Sequence, residues 1–180
     1  MSEISRMTGA AEGTIFYHFN NKETLFLTIL EQFKESIITE FQKYSDEKRF
    51  KCGIEMVENG VSFYLYLASA MEDRFLLIHR HDAYELARIN PRCRECLEAI
   101  YNCFVDIFEK AIVEGQKDGS IRKTSSRKSA MIIFSMVDSL VRLNTYNLYH
   151  AGSLYDELID ACRRIVIHNE NQEVAVTDVK

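Results

Sequence analysis

Glu3-Ile4-Ser5-Arg6-Met7-Thr8-Gly9-Ala10-Ala11-Glu12-Gly13-Thr14-Ile15-Phe16-Tyr17-His18-Phe19-Asn20-Asn21-Lys22-Glu23 is the stretch whose reading decides the fold. Ile4 and Met7 stand three apart and share one face of a short helix. Gly9 can take the left-handed conformation that ends such a helix and turns the chain. Ile15 and Phe19 share a face of a second short helix at a spacing of four, which leaves Glu12, Thr14, Tyr17 and His18 pointing elsewhere. The pattern is a helix-turn-helix, with Ala11 to Phe19 as the helix that enters a DNA major groove.

The chain that follows reads as a succession of helices. Asn21 suits the N-cap of a helix from Lys22 to about Tyr44, where Leu25, Ile29, Phe33, Ile37 and Phe41 form an unbroken i, i+4 series. The polar run Ser45 to Arg49 marks a boundary between a reader with its connecting helix, 1–44, and a larger segment, 45–180. A helix is expected from about Phe50 to Met71. Gly53 and Gly60 each weaken its intrinsic propensity by about 1 kcal/mol relative to Ala, so tertiary packing must hold it. Glu72 to Ile89 is helical but less regular, and Asn90-Pro91 punctuates the chain before a long helix to about Lys117. Lys128 to Tyr149 is apolar nearly all round and must be buried on two sides. Ser153 to His168 forms the last helix, and the polar tail from Asn169 to Lys180 frays. The fold class is all-α.

Composition agrees. Of 180 residues 47% are hydrophobic, enough for a sizeable core, and one proline with seven glycines suits long helices better than a turn-rich β fold. No apolar run is long enough to span a membrane, and no signal peptide opens the chain. Five cysteines without a secreted-scaffold pattern point to reduced thiols in a cytoplasm. A net charge of −5 argues against indiscriminate coating of nucleic acid. The segment to Lys34 holds Arg6, Lys22 and Lys34 against Glu3, Glu12, Glu23 and Glu31, an acidic balance for a DNA reader. There is no Gly-rich phosphate loop, GxSxG or HExxH, so no enzyme chemistry is expected and no cofactor is implied.

Gly13-Thr14-Ile15-Phe16-Tyr17-His18-Phe19, followed by Asn21-Lys22-Glu23-Thr24-Leu25, resembles the signature of TetR-family transcriptional regulators. The likeness covers about the first thirty residues. It implies that Thr14, Tyr17, His18 and Lys22 touch phosphates and that Glu12 and Gly13 face bases, where Glu12 could accept from a cytosine amine. Phe16 belongs to the same DNA-facing set but stands where the family commonly has Tyr, so a phosphate-bonding hydroxyl is lost. Ala11 stands where Ser is common, forgoing an N-cap worth about 1 kcal/mol. The family also carries a further helix ahead of the helix-turn-helix. Its absence before Met1 gives the expectation that this sequence lacks the protein's true N-terminus, leaving Ile4, Met7, Ile15 and Phe19 short of a partner.

The likeness implies a two-fold dimer on an operator, released by a small molecule. The two last helices are its expected interface, through Ile133, Val137, Leu140, Leu158, Cys162 and Ile165. The effector pocket is expected among the middle helices, at Phe63, Tyr66, Phe75, His79 and Tyr101. Phe104, Phe108, Met136, Asn144 and Tyr146 complete that set. Cys93 and Cys96 share a helical face with Cys103 and, with His79 or His81, could bind zinc or sense oxidants. A single CxxC is a weak signal, and ordinary helical cysteines are favoured. The competing reading is a helical small-molecule or thiol/metal-sensing module that does not bind DNA by itself.

Overall fold

The computed structural model describes residues 2–46 and 48–167, and among them helices are joined by short turns with no strand. Helices α1 (Ser2–Thr8) and α2 (Glu12–His18) form the helix-turn-helix. Gly9 ends α1 at a φ of 71°, the left-handed geometry the sequence anticipates. Ser5 Oγ donates to Ala10 O at 2.6 Å and pins the turn. Ala11 offers α2 no side-chain cap. Asn21 caps α3 (Lys22–Asp46), its Oδ1 accepting from the Thr24 amide at 2.8 Å.

Beyond α3 come α4 (Gly53–Ala70), α5 (Glu72–His79), α6 (His81–Ile89) and α7 (Pro91–Asp118). The irregular stretch 72–89 is thus two helices, parted where Arg80 takes an extended conformation. Asn90 accepts from the Cys93 amide at 3.2 Å to cap α7, and Gly119 closes it at a φ of 81°. Helix α8 (Ser126–Thr145) stops short of Tyr149 because Asn147 turns to a φ of 55° and the Leu148 amide folds back onto Leu143 O. A 3-10 turn (Ala151–Leu154) leads into α9 (Tyr155–Val166). His168, the tail 169–180 and the Ile4 side chain lie outside the described residues.

Helix α7 is the axis on which α3, α4, α6 and α8 pack. Its Ile100, Phe104, Phe108 and Ile112 meet Leu30, Phe33 and Ile37 of α3, Val57, Val61 and Tyr64 of α4, and Ile133 and Val137 of α8 in a continuous core. The connecting helix therefore shares the core of the segment behind it.

The two glycines that weaken α4 are where α7 comes closest. A Cβ on Gly53 would lie 2.1 Å from the backbone nitrogen of Gly115, and one on Gly60 would lie 2.9 Å from the Phe108 ring. Gly53 N also donates to Asp118 Oδ2 at 2.6 Å, so the start of α4 is bound to the end of α7. Gly53→Ala is expected to cost about 3 kcal/mol or more, as an overlap with backbone rather than with a flexible side chain. Gly13→Ala, with no atom within 4 Å, should change stability by no more than about 1 kcal/mol. Urea unfolding of the two variants tests the contrast, and equal midpoints would contradict it.

Candidate functional site

Helix α2 presents one outward surface. Ile15 is its buried residue, and it turns Glu12, Gly13, Thr14, Phe16, Tyr17 and His18 to solvent, with Lys22 exposed at the start of α3. Tyr17 is 83% exposed and Phe16 47%, and the Tyr17 ring stands edge-on to His18 at 5.1 Å. Large exposed aromatics beside a cation are suited to packing on a sugar–phosphate backbone, whereas their exposure in a free monomer is a liability. The Met7 side chain is 78% exposed on the neighbouring helix.

The acidic balance of the reader is altered by where its carboxylates point. Glu23 accepts from Asn90 Nδ2, and Glu31 pairs with Arg92 at 3.3 Å. Both face the α6–α7 corner rather than the surface of α2. The same two contacts tie the first turns of α3 to the body. Between them and the α5–α6 corner lies a cleft of about 560 Å³, lined by Met7, Phe26, Ile29, Leu77, Arg80 and Leu86 among others.

Deeper in the body, α4, α5, α7 and α8 enclose a polar cluster in an aromatic box. Tyr64 OH donates to Asp138 Oδ1 at 2.5 Å, and His79 Nε2 lies 2.9 Å from the same oxygen. Tyr64 packs edge-on to Phe75 at 5.3 Å, Phe104 at 4.5 Å and Phe134 at 5.9 Å. Burial, reinforced by Asp138, drives the Tyr64 phenol well above its ordinary pKa, so it stays a donor. In the neutral imidazole, a carboxylate beside Nε2 places the hydrogen there and leaves Nδ1 an acceptor. That Nδ1 is buried with no hydrogen-bond partner, a deficit of about 1–3 kcal/mol for such a group. On the rim the Tyr84 and Tyr101 hydroxyls lie 2.6 Å apart, and burial raises the Tyr101 phenol likewise.

The residues expected in the effector pocket divide three ways. Phe75, His79, Tyr101 and Phe104 gather around this cluster, and Tyr146 OH donates to the backbone oxygen of His79 at 3.3 Å. Phe63 packs on Phe41 and Tyr44 of α3, Tyr66 stacks outside on Tyr44, and Phe108 lies beneath Gly60. Met136 lines the outer face of α8 and α9, and Asn144 is exposed near the end of α8. The sequence reading missed Tyr64, Phe134 and Asp138. Asp138 did carry a signal: it is the sole carboxylate of α8.

Ile133, Val137, Leu158 and Cys162, expected at a dimer interface, are instead buried in this chain's own core. Their helices turn a neighbouring strip outward, because residues that fill the core are not available to a second copy. Met131, Ile132, Met136, Leu140 and Leu154 line there a concave apolar surface of about 810 Å³. Leu158 reaches its floor, and Ile165 is half-buried on α9.

The cysteines are packing residues by geometry. Cys93 is buried and donates weakly to Ala83 O at 3.8 Å. Burial raises the thiols of Cys93, Cys96 and Cys103 above the ordinary value and that of Cys162 to about 11. No group of three or more metal-ligating side chains is assembled among the described residues.

Residues 1–29 match the family model for bacterial regulatory proteins of the tetR family. The chain is 23% identical over 155 residues to the fatty acid metabolism regulator protein of Bacillus subtilis (strain 168), covering 78% of this chain and 70% of that protein. It is 26% identical over 125 residues to the HTH-type transcriptional repressor DhaR of Mycobacterium sp. (strain GP1), covering 68% of this chain and 61% of DhaR. In fold it is similar to a tetR-family regulatory protein from Rhodococcus RHA1, with a TM-score of 0.71 at 16% identity over 92% of this chain and 84% of that one. It is equally similar to the transcriptional regulator FadR from Bacillus subtilis in complex with stearoyl-CoA, at a TM-score of 0.70 and 22% identity over 93% of this chain and 88% of FadR. A helix-turn-helix ahead of a larger helical body is the architecture this chain shares with these proteins, and its similarity to the tetR family model lies in residues 1–29.

The raised thiols give a direct test. Iodoacetamide at mildly alkaline pH should leave Cys93 and Cys162 unmodified in the native protein and label both once it is unfolded. Peptide mass spectrometry reads the sites, and fast native labelling of Cys162 would contradict its burial.

Proposed function

We propose that this regulator is a homodimeric, cytoplasmic repressor without catalytic activity, released from its operator by a small molecule bound between α4, α5, α7 and α8. The observation that carries the reading is α2, which keeps one apolar residue for the fold and turns six others outward beside Lys22. Glu12 and Gly13 face base edges, while Thr14, Tyr17, His18 and Lys22 hold the phosphates and Phe16 packs beside them. The first 44 residues act as reader and connecting helix, and the remainder as effector and dimer domain. Two copies join through the outer strip of α8 and α9, which supplies the apolar surface such an interface needs.

The coupling is mechanical. The α5–α6 corner at Arg80 lies between the Tyr64 cluster and the cleft beneath the reader. A ligand that displaces His79 moves this corner, and the Glu23 and Glu31 contacts pass the shift to the first turns of α3. The dimer then moves between states whose reader helices do or do not match two successive grooves. Similarity to a transcriptional regulator described in complex with stearoyl-CoA supports a largely apolar ligand.

Lys22→Ala with Tyr17→Ala is expected to abolish specific binding to DNA flanking the gene, with helix content unchanged, in a fluorescence anisotropy titration. Lys22→Ala alone should lower the salt slope of binding by about one. Undiminished affinity in the double variant would refute the assignment of the reader. Ile132→Asp, in the outer strip, should yield a folded monomer by sedimentation, and a dimer that persists would place the interface elsewhere.

A further inference from the structure

The Tyr64–Asp138–His79 cluster has an imbalance the fold leaves uncorrected. Both of its donors fall on one oxygen of Asp138, so the second oxygen accepts from neither. The Asp138 side chain keeps 17% of its surface accessible, while that of His79 is wholly buried. His79 Nδ1 is a second acceptor and has no partner among the described residues. Around these acceptors stand the faces and edges of Tyr64, Phe75, Phe104 and Phe134. Phe134 and Tyr101 stand on the side toward the rim, 5.7 Å apart. Arg142, an exposed residue one turn further along α8, acts electrostatically on Tyr101 at the rim.

Acceptors without donors, one of them a carboxylate, repel an anionic head group and attract a donor. Aromatic faces favour a cation further. We propose that this cluster is the polar anchor of the effector site and that it selects an apolar molecule ending in a hydrogen-bond donor, an ammonium above a hydroxyl, and rejects a carboxylate. The proposal rests on the reading that the body binds an effector. It departs from simple likeness to a regulator seen with an acyl-CoA, because the fold is shared at 22% identity while the anchor is formed by this chain's own side chains. The donor would complete Asp138 through its second oxygen. A charged donor there competes with His79 for the carboxylate and so acts on α5, the element next to the corner that feeds the reader.

Three probes share one apolar body and differ in the head: 4-phenylbutylamine, 4-phenylbutanol and 4-phenylbutanoate. Calorimetric titration of the intact protein should rank them in that order, the amine at least about tenfold tighter than the carboxylate, one decade in Kd. Asp138→Asn should erase the preference for the amine, and Asp106→Asn, which removes an exposed carboxylate paired with Arg127 outside the cluster, should preserve it. Circular dichroism confirms that each variant is folded. A tighter carboxylate, a preference unchanged in Asp138→Asn, or no binding by any of the three at millimolar concentration overturns the proposal. Repeating the titration with operator DNA present separates the two readings. Amine binding that leaves DNA affinity unchanged keeps the anchor but refutes ligand-driven release. Release of DNA by stearoyl-CoA together with failure of the amine does the reverse.

Discussion

The approach of α4 to α7 at Gly53 and Gly115 is the contact the rest of the molecule depends on. With no Cβ on either residue, two backbones meet where ordinary side chains would hold helices about 8–10 Å apart. This draws Tyr64 on α4 against Phe104 on α7 and brings both within reach of α8. It also places the end of α7 where Asp118 receives the Gly53 amide, so the crossing is fixed by a hydrogen bond as well as by shape. A propensity cost within α4 is thereby offset by dispersion and burial at the seam.

Helix α3 inherits its position from this seam. Leu30, Phe33 and Ile37 are sealed against α7, so the reader at its N-terminal end cannot drift independently of the body. The polar ties, Glu23 to Asn90 in the first turn of α3 and Glu31 to Arg92 beside Leu30, are solvent-exposed, hence weaker and easier to rearrange. A tightly buried stem with a loosely held tip is suited to transmitting a small rotation to α2.

The reader was legible because its signals are local: a turn glycine, an Asn cap and spacings of three and four. The cap at Asn21 and the ends of α7 followed from the same short-range chemistry. What escaped was set by packing across the chain. Gly53 and Gly60 registered as defects because their partners lie more than forty residues away on α7. In α8 the apolar residues run around the whole helix, so periodicity could not show which face meets the core and which meets solvent. The expected interface was accordingly drawn from core residues such as Ile133 and Val137, beside the strip that is exposed. Asp138 was passed over for the opposite reason: a lone carboxylate has no period, and only the fold brings Tyr64 and His79 to it. Counting charges in the reader was also too coarse, since Glu23 and Glu31 face the body.

The central claim is that two copies of α2 read one DNA site together. Selection of binding sequences from a random duplex pool by the intact protein, followed by hydroxyl-radical footprinting of the winner, tests it most directly. The account predicts a two-fold symmetric site whose protected half-sites are centred about one helical turn of DNA, roughly 34–36 Å, or a multiple of it apart. Enrichment of no sequence, or a single unsymmetrical footprint, would contradict it.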